Sequence, residues 1–585
     1  MNGAQLVVEM LLAYGIDHIF GLPGDTNTAL YAAIAEHNGL SHVMTRDERS
    51  AGYMADAYAR LSHRPAVVEV PSGGGPMYAL PAIAEAHVSG VPVILITCDT
   101  PLAHEGRGFI AEFDSVAMFA PITKASIKAK SAQLLPEIFR RAFRTATSGK
   151  PGAVHLSIPE DVFQQQVDPA SVSLHAEPAC MAYPAYPACA SRDDLERLSA
   201  LLAGARRPLI VAGGGVARAN AGTALQAIAE RFAIPVVTTI TGQTSLPDRH
   251  ALALGNIGDN GFHPHANRAM QEADTLLYAG CRIGSTATIG WSFPEGQDRR
   301  ALAQIDIDPQ ILGNAYPNRL AIAGDAASVL GQLLDLPAPS ECGIDPDWVP
   351  TLNRWRERFW EADARDLERL AAEQGVDWLH PRLVVDALER RLDEPAVIIA
   401  DPGTPTPYLC RYFRRRDRST ELIFQRAFGS LGYALPAVVG AWHADPGRRP
   451  IAMFGDGSLG MAIGELETIS RLGIPALLLN FNNSSFGYIK ALQRSYGYPR
   501  PMSVDFMPVD YAAAARAFHF QTWTAQRPDE LGPVLAEALA CRGPAFVDLI
   551  VPNPAEETPA MYKWMQRKGL EPLEVAGAPL LMAHQ

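Results

Sequence analysis

A chain of 585 residues, 48% hydrophobic and 19% charged, is long enough for about three domains with cores of their own and too apolar to stay disordered. A net charge of −13 without any long basic run excludes nucleic acid as an expected partner. Seven scattered cysteines without metal-ligand spacing read as reduced thiols of a cytoplasmic protein, and no eighteen-residue apolar run predicts a membrane span.

Met1–Gln5 leads straight into an amphipathic helix carrying Glu9, so no leader segment is expected. Phe20-Gly21-Leu22-Pro23-Gly24-Asp25-Thr26-Asn27 reads as a strand end and glycine turn, then a helix capped by Asp25 or Thr26. Arg46-Asp47-Glu48 opens a second helix ending near Ala59-Arg60, with Glu48 favourably placed in its first turn. The apolar run Val88–Thr97 reads as a buried strand. Residues 168–190, rich in Pro, Ala and Ser, read as an extended linker, and Ser191 as the cap of the next helix. Pro208–Ala212 is a strand entering Gly213-Gly214-Gly215, but Arg218 breaks the G-x-G-x-x-G dinucleotide pattern. A second break, with four prolines, spans 336–350.

Beyond it, the strand Ala396–Ala400 delivers Asp401-Pro402-Gly403-Thr404-Pro405-Thr406, whose hydroxyls and amides suit a diphosphate. The most informative stretch is Phe454-Gly455-Asp456-Gly457-Ser458. It lies between predicted strands Pro450–Phe454 and Pro475–Phe481, with a helix from Ile463 to Arg471 between them. Asp456 offers a hard anionic oxygen, and Gly455 and Gly457 let the backbone approach a phosphate. Asn483, 27 residues further on (483 − 456), adds an amide oxygen at the next strand's end. Two such oxygens with phosphates suit Mg²⁺. The whole chain therefore reads as α/β, three doubly wound parallel-sheet domains at 1–167, 191–335 and 355–552, followed by a tail at 553–585.

The G-D-G and N-N pair resembles the diphosphate-binding signature of thiamine diphosphate enzymes. The resemblance implies metal ligation by Asp456, Asn483 and the main-chain carbonyl of Ser485, with Gly403, Thr404, Thr406, Gly455, Gly457 and Ser458 around the diphosphate. The run from Glu48 to Arg60 looks like the E-x-x-A-x-x-x-A-x-x-Y-A-R segment of the family's decarboxylases and acetolactate synthases. By that likeness Glu48 is catalytic and holds N1′ of the aminopyrimidine, a task that burial and a raised pKa would favour. Gly429-Ser430-Leu431-Gly432 resembles the family's G-S-I-G segment. There the Gly429 carbonyl accepts from the 4′-amino group and Leu431 wedges the cofactor into its bent form. The first and third domains are then the pyrimidine- and diphosphate-binding domains, and the site forms between subunits of a homodimer or homotetramer.

Departures from the family patterns bear on the reaction. Gly21–Asn27 resembles the G-L-P-G-D-F-N of pyruvate decarboxylases, which makes Asp25 a second catalytic candidate alongside its capping role. The paired histidines of those enzymes have no counterpart between His104 and Asp114, and Ile489 stands where they carry a glutamate. Gly106–Asp114 is similar to the acetolactate synthase segment G-x-x-x-F-Q-E-x-D, with Ala111 in place of glutamine; Arg107 and Glu112 could take over its polar role. Cys281–Thr286 lacks the R-F-D-D-R of flavin-binding relatives, so FAD is not expected. The expected activity is decarboxylation of a 2-oxo acid followed by carboligation to a carbonyl acceptor. The alternative is a decarboxylase that releases an aldehyde. Thr26, Ala111, Gln425 and Ile489 are candidate pocket residues, with the stretch Gln493–Met502 and the tail as further possibilities.

Overall fold

The computed structural model describes residues 1–296, 299–373, 377–496 and 500–553. They form three six-stranded sheets, all parallel, with the strand numbers running in chain order. The first contains β1 (His18–Gly21), β2 (Ser41–Met44), β3 (Ala66–Pro71), β4 (Val93–Asp99), β5 (Ser126–Lys128) and β6 (Val154–Pro159), in the order β2-β1-β3-β4-β6-β5. The second contains β7 (Pro208–Ala212), β8 (Val236–Thr238), β9 (Ala253–Asn256), β10 (Thr275–Ala279), β11 (Ala301–Asp306) and β12 (Leu320–Ala323), in the order β12-β11-β10-β7-β8-β9. The third contains β13 (Ala396–Ala400), β14 (Thr420–Phe424), β15 (Arg449–Gly455), β16 (Leu477–Asn482), β17 (Gln521–Ala525) and β18 (Ala545–Ile550), in the order β14-β13-β15-β16-β18-β17.

Parallel strands buried on both faces explain why these segments are apolar throughout rather than alternating. In the second sheet Ile210, Ala212, Leu277 and Ala279 pack into one core, and Leu209, Val211, Leu276 and Tyr278 into another on the opposite face. Packing also accounts for its glycine triplet. A Cβ on Gly213 would sit 2.3 Å from the Gly280 carbonyl oxygen, and one on Gly215 would sit 2.7 Å from the Gly280 Cα.

Two compact units emerge, and neither is continuous in sequence. One comprises residues 1–186 with 425–450 and 458–476; the other comprises 187–424, 451–457 and 477 onward. In the first, the helix Ala434–Ala444 packs on the helix Glu48–Ser62 so closely that the Gly440 Cβ position is 1.9 Å from the Met54 carbonyl oxygen. Buried Asp56 ties the two together, accepting from Tyr433 Oη (2.6 Å) and Arg60 Nε (2.6 Å).

Several local expectations change. The run Val88–Thr97 is not one strand: the helix Gly74–Ser89 covers its start and Gly90 ends that helix at φ +70°, so β4 begins only at Val93. The stretch 168–190 is not simply extended. It contains 3₁₀ turns at Pro169–Ser171 and Pro178–Met181, Cys180 is buried, and the Tyr183 hydroxyl donates to Ala59 O at 2.9 Å. Ser191 does cap its helix, accepting from Asp194 N. Within the second break a helix already begins at Trp348. Among the described residues no helix is long and apolar enough to cross a membrane.

Candidate active site

In the first unit, β1 ends at Gly21, where a Cβ would lie 2.2 Å from Glu69 Oε1. The loop that follows is held by Asn27. Its Oδ1 accepts from Gly24 N at 2.8 Å, and its Nδ2 donates to Leu22 O at 3.0 Å and to Glu69 Oε2 at 2.7 Å. Neither Asp25 nor Thr26 therefore caps the helix Thr28–Ala35; Asn27 occupies the cap position, with its side chain turned into the loop. Asp25 is exposed, and Thr26 is buried with its hydroxyl accepting from Ser72 N at 2.9 Å.

Glu48 is the first residue of its helix, and Asp47 caps that helix through Arg49 N at 2.8 Å. Only 8% of Glu48 is exposed. Burial pushes its carboxyl pKa up, and neighbouring Asp47 and Glu69 add to the shift. The glycines after β3 allow this close fit: a Cβ on Gly75 would lie 3.2 Å from Glu48 Oε1. Gly73, at φ +76°, leaves room for Ala111, whose Cβ is 2.5 Å from the Cβ position there. Ala111 itself is exposed at φ +64°. Glu112 does not offer a free polar group, because its carboxylate accepts from the backbone N–H groups of Gly106, Gly108 and Phe109.

Gln425 is fully buried and does not face an open pocket: its Nε2 donates to Glu85 at 3.1 Å. Glu85 also accepts from Phe428 N at 2.6 Å, which shapes the approach to Gly429. Gly429 has φ +77° and no heavy atom within 4 Å of a Cβ position, and Leu431 beside it is half-buried. Sequence reasoning missed Glu69 and Glu85. The one available signal was a charged residue inside an apolar strand or helix.

In the second unit, the ends of β13, β15 and β16 carry the other candidates. Gly403 has φ +123° and open space at its Cβ position, while Thr404 is buried. Thr406 is fully buried, its hydroxyl donating to Asp401 O at 2.6 Å. Asp456 follows Gly455 and opens the helix Asp456–Ala462, whose next residue is Gly457; buried Ser458 after it is counted with the first unit. Its Oδ1 accepts from Gly457 N at 2.9 Å, whereas Oδ2 is buried without a hydrogen-bond partner among the described residues. Burial pushes this carboxyl up to about 6.

A buried, unpartnered carboxylate oxygen is costly unless something pairs with it. An oxygen set of one carboxylate, one amide and one carbonyl fits a hard divalent cation. The half-buried Asn483 side chain accepts from Ser485 N at 3.2 Å and lines a cavity of about 440 Å³ together with Asp510, Gln526 and Asp548. Asn482 turns instead to Asp548, at 3.2 Å. Ile489 is 46% exposed on the helix Gly487–Ser495. Residues 497–499 of the stretch Gln493–Met502, and the tail from 554, lie outside the described residues.

Residues 1–118, 195–333 and 401–549 match, respectively, the N-terminal TPP-binding, central and C-terminal TPP-binding domains of thiamine pyrophosphate enzymes. The chain is 31% identical over 575 residues to the probable acetolactate synthase large subunit of Methanocaldococcus jannaschii, covering 96% of this chain and 93% of that one. It is 29% identical to the acetolactate synthase large subunit of Lactococcus lactis, covering 94% of each chain. It is 28% identical to the acetolactate synthase isozyme 3 large subunit of Escherichia coli, covering 92% of each.

Proposed function

Since the chain belongs to the acetolactate synthase family of thiamine diphosphate enzymes, we propose that it decarboxylates a 2-oxo acid and joins the acyl remainder to a second carbonyl compound. The observation that carries this reading is the buried Glu48 carboxyl, which retains its proton more tightly than an exposed one, in a chain that also carries the unpartnered Asp456 oxygen. Asp456, Asn483 and the Ser485 carbonyl would hold Mg²⁺. Gly403, Thr404, Gly455, Gly457 and Ser458 would surround the diphosphate, and Gly429 and Leu431 would meet the thiazolium and pyrimidine rings. When bound, thiamine diphosphate supplies the nucleophilic carbon and the electron sink that decarboxylation of a 2-oxo acid requires.

The protein's own contribution is positional and protonic. Glu48 holds a proton at Oε1 or Oε2 where an aminopyrimidine nitrogen can share it. Thr26 and Ala111 border the acceptor side, Ala111 without a polar group. Carboligation is favoured over aldehyde release because Glu112 in the 106–114 loop is tied to three backbone amides and because Ile489 is aliphatic. Asp25 is the one exposed acid at the end of β1, and it carries the alternative, aldehyde-releasing reading. The three-domain division at 1–167, 191–335 and 355–552, a homodimer or homotetramer with shared sites, and a cytoplasmic location belong to the same proposal.

The test is incubation of the purified protein with pyruvate, with and without thiamine diphosphate and Mg²⁺, identifying products by mass. A hydroxyketo acid that is lost in Glu48→Ala supports carboligation, and acetaldehyde alone refutes it.

A further inference from the structure

The strand Ala66-Val67-Val68-Glu69-Val70 is apolar except for one residue, and that residue is completely buried. An isolated carboxylate in such a place costs several kcal/mol, and leucine would pack a central parallel strand without that cost. Glu69 is instead surrounded by donors. Tyr31 Oη donates to Oε1 at 2.5 Å, Asn27 Nδ2 donates to Oε2 at 2.7 Å, and His42 Nε2 lies 3.2 Å from Oε1. These come from the helix Thr28–Ala35, its cap and β2, and together they give both carboxyl oxygens hydrogen-bond partners. Tyr31 keeps its proton, since burial and the Glu69 charge both push its pKa up.

The bond to Asn27 has a consequence beyond stability. One amide spans three partners: Glu69 below, and Gly24 N and Leu22 O within the loop. A glycine at 21 is required so that the strand can pass over the carboxylate at all. The loop's outward residue is Asp25, whose Oδ1 accepts from Thr26 N at 2.9 Å, while the Thr26 hydroxyl is pinned to Ser72 N. The buried end of this network is therefore the fixed point from which Asp25 and Thr26 are aimed.

We propose that Glu69 is a positioning residue of the site: a buried carboxyl group that, through Asn27, sets the shape of the Gly21–Asn27 loop and with it the placement of Asp25 and Thr26. The inference rests on the assignment of that loop to the active site. Glu69 touches neither substrate nor cofactor; besides its hold on the loop, its charge adds to the upward push on the Glu48 carboxyl.

The experiment is a pair of variants, Glu69→Gln and Asn27→Ala, compared with Asp25→Asn and with the double variant Asp25→Asn/Asn27→Ala. Backbone amide exchange is measured by mass spectrometry on the full-length protein without cofactor, and turnover is measured with thiamine diphosphate and Mg²⁺. Glutamine presents an N–H₂ to one of the donors that Glu69 accepts from, so the anchor fails while volume is kept. Exchange across residues 22–26 is expected to rise at least about tenfold in Glu69→Gln and Asn27→Ala, with the helix Glu48–Ser62 unchanged. Turnover is expected to fall about tenfold or more, and Asn27→Ala should add nothing in the Asp25→Asn background, the non-additivity expected of residues acting as one unit.

Unchanged loop exchange in both single variants, or losses that add in the double variant, would overturn the proposal. Should Glu69→Gln fail to fold, Asn27→Ala alone decides the anchor. Full activity in Asp25→Asn would refute the functional reading of that acid separately, because the exchange measurement does not depend on turnover.

Discussion

Replacing Gly440 with alanine should damage both the stability and the chemistry of this enzyme, and the distances say by how much. The new Cβ would lie 1.9 Å from the Met54 carbonyl oxygen, 2.7 Å from its carbonyl carbon and 3.0 Å from its Cα. All three are backbone atoms of a helix, so no side chain can rotate away. Ordinary contact begins at 3.4 Å, and the two helices must part by 1.5 Å (3.4 − 1.9) to restore it. Overpacking of this kind costs about 1–3 kcal/mol by itself. The separation also strains the 2.6 Å bond from Tyr433 to Asp56, part of a buried charged network whose rupture costs about 3–5 kcal/mol. A total of at least about 3 kcal/mol in a unit of this size lowers the melting temperature by roughly 6–12 °C. Glu48 begins the displaced helix, and a misplacement of about 1 Å at a reacting group costs on the order of 100-fold in turnover. Scanning calorimetry and steady-state kinetics on Gly440→Ala measure both effects. An unchanged melting temperature with wild-type turnover would refute the packing argument and the link from this contact to Glu48.

Glu48→Gln keeps the shape but not the shareable proton, so turnover should fall about 10²- to 10⁴-fold while thermal unfolding is little changed; comparable activity in the variant would exclude Glu48 from the chemistry. Chelation of divalent ions should abolish turnover in the native protein, with Mg²⁺ restoring it, whereas Asp456→Ala should not be rescued. Thiamine diphosphate with Mg²⁺ at a hundredfold excess over Kd should stabilise the native protein by about 2.7 kcal/mol. Asp548, 3% exposed, is pushed by burial up to about 6 from 3.8, against the hydrogen bonds from Asn480 and Asn482. A carboxyl that binds its proton more tightly when folded stabilises the protein fully below the unfolded pKa, and this contribution is lost as pH rises through about 6. Over that window the metal-free protein should lose up to about 3 kcal/mol from this group. Asp548→Asn should make urea-unfolding stability less steep between those values, and an identical slope would contradict the assignment.

Much of this architecture is visible in local sequence. Ala396–Ala400 and Pro208–Ala212 are strands with the expected ends, because apolar runs bounded by glycine and aspartate leave few alternatives. The family motifs point to Glu48 and Asp456, and both prove to be buried at a helix start. What escapes is whatever depends on partners far along the chain. Gln425 looked like a pocket residue, yet its amide belongs to Glu85, 340 residues earlier. Thr26 looked like a helix cap, yet its hydroxyl is taken by Ser72, while Asn27 serves the loop and Glu69 rather than its helix. The Val88–Thr97 run shows the local counterpart: Gly90 ends a helix inside it, and composition alone does not reveal where the backbone turns left-handed.

The discontinuous first unit also shapes how the protein comes into being. The helix Glu48–Ser62 leaves the ribosome 372 residues (434 − 62) before the helix Ala434–Ala444 that covers it. At about 5–20 residues per second, that interval lasts on the order of 20–70 s. Throughout it, a nascent chain carries an uncovered helix face bearing Asp56 and the Met54 carbonyl, with no Tyr433 to bond. The first sheet can form early, but its unit is complete only when residues 425–476 have been made.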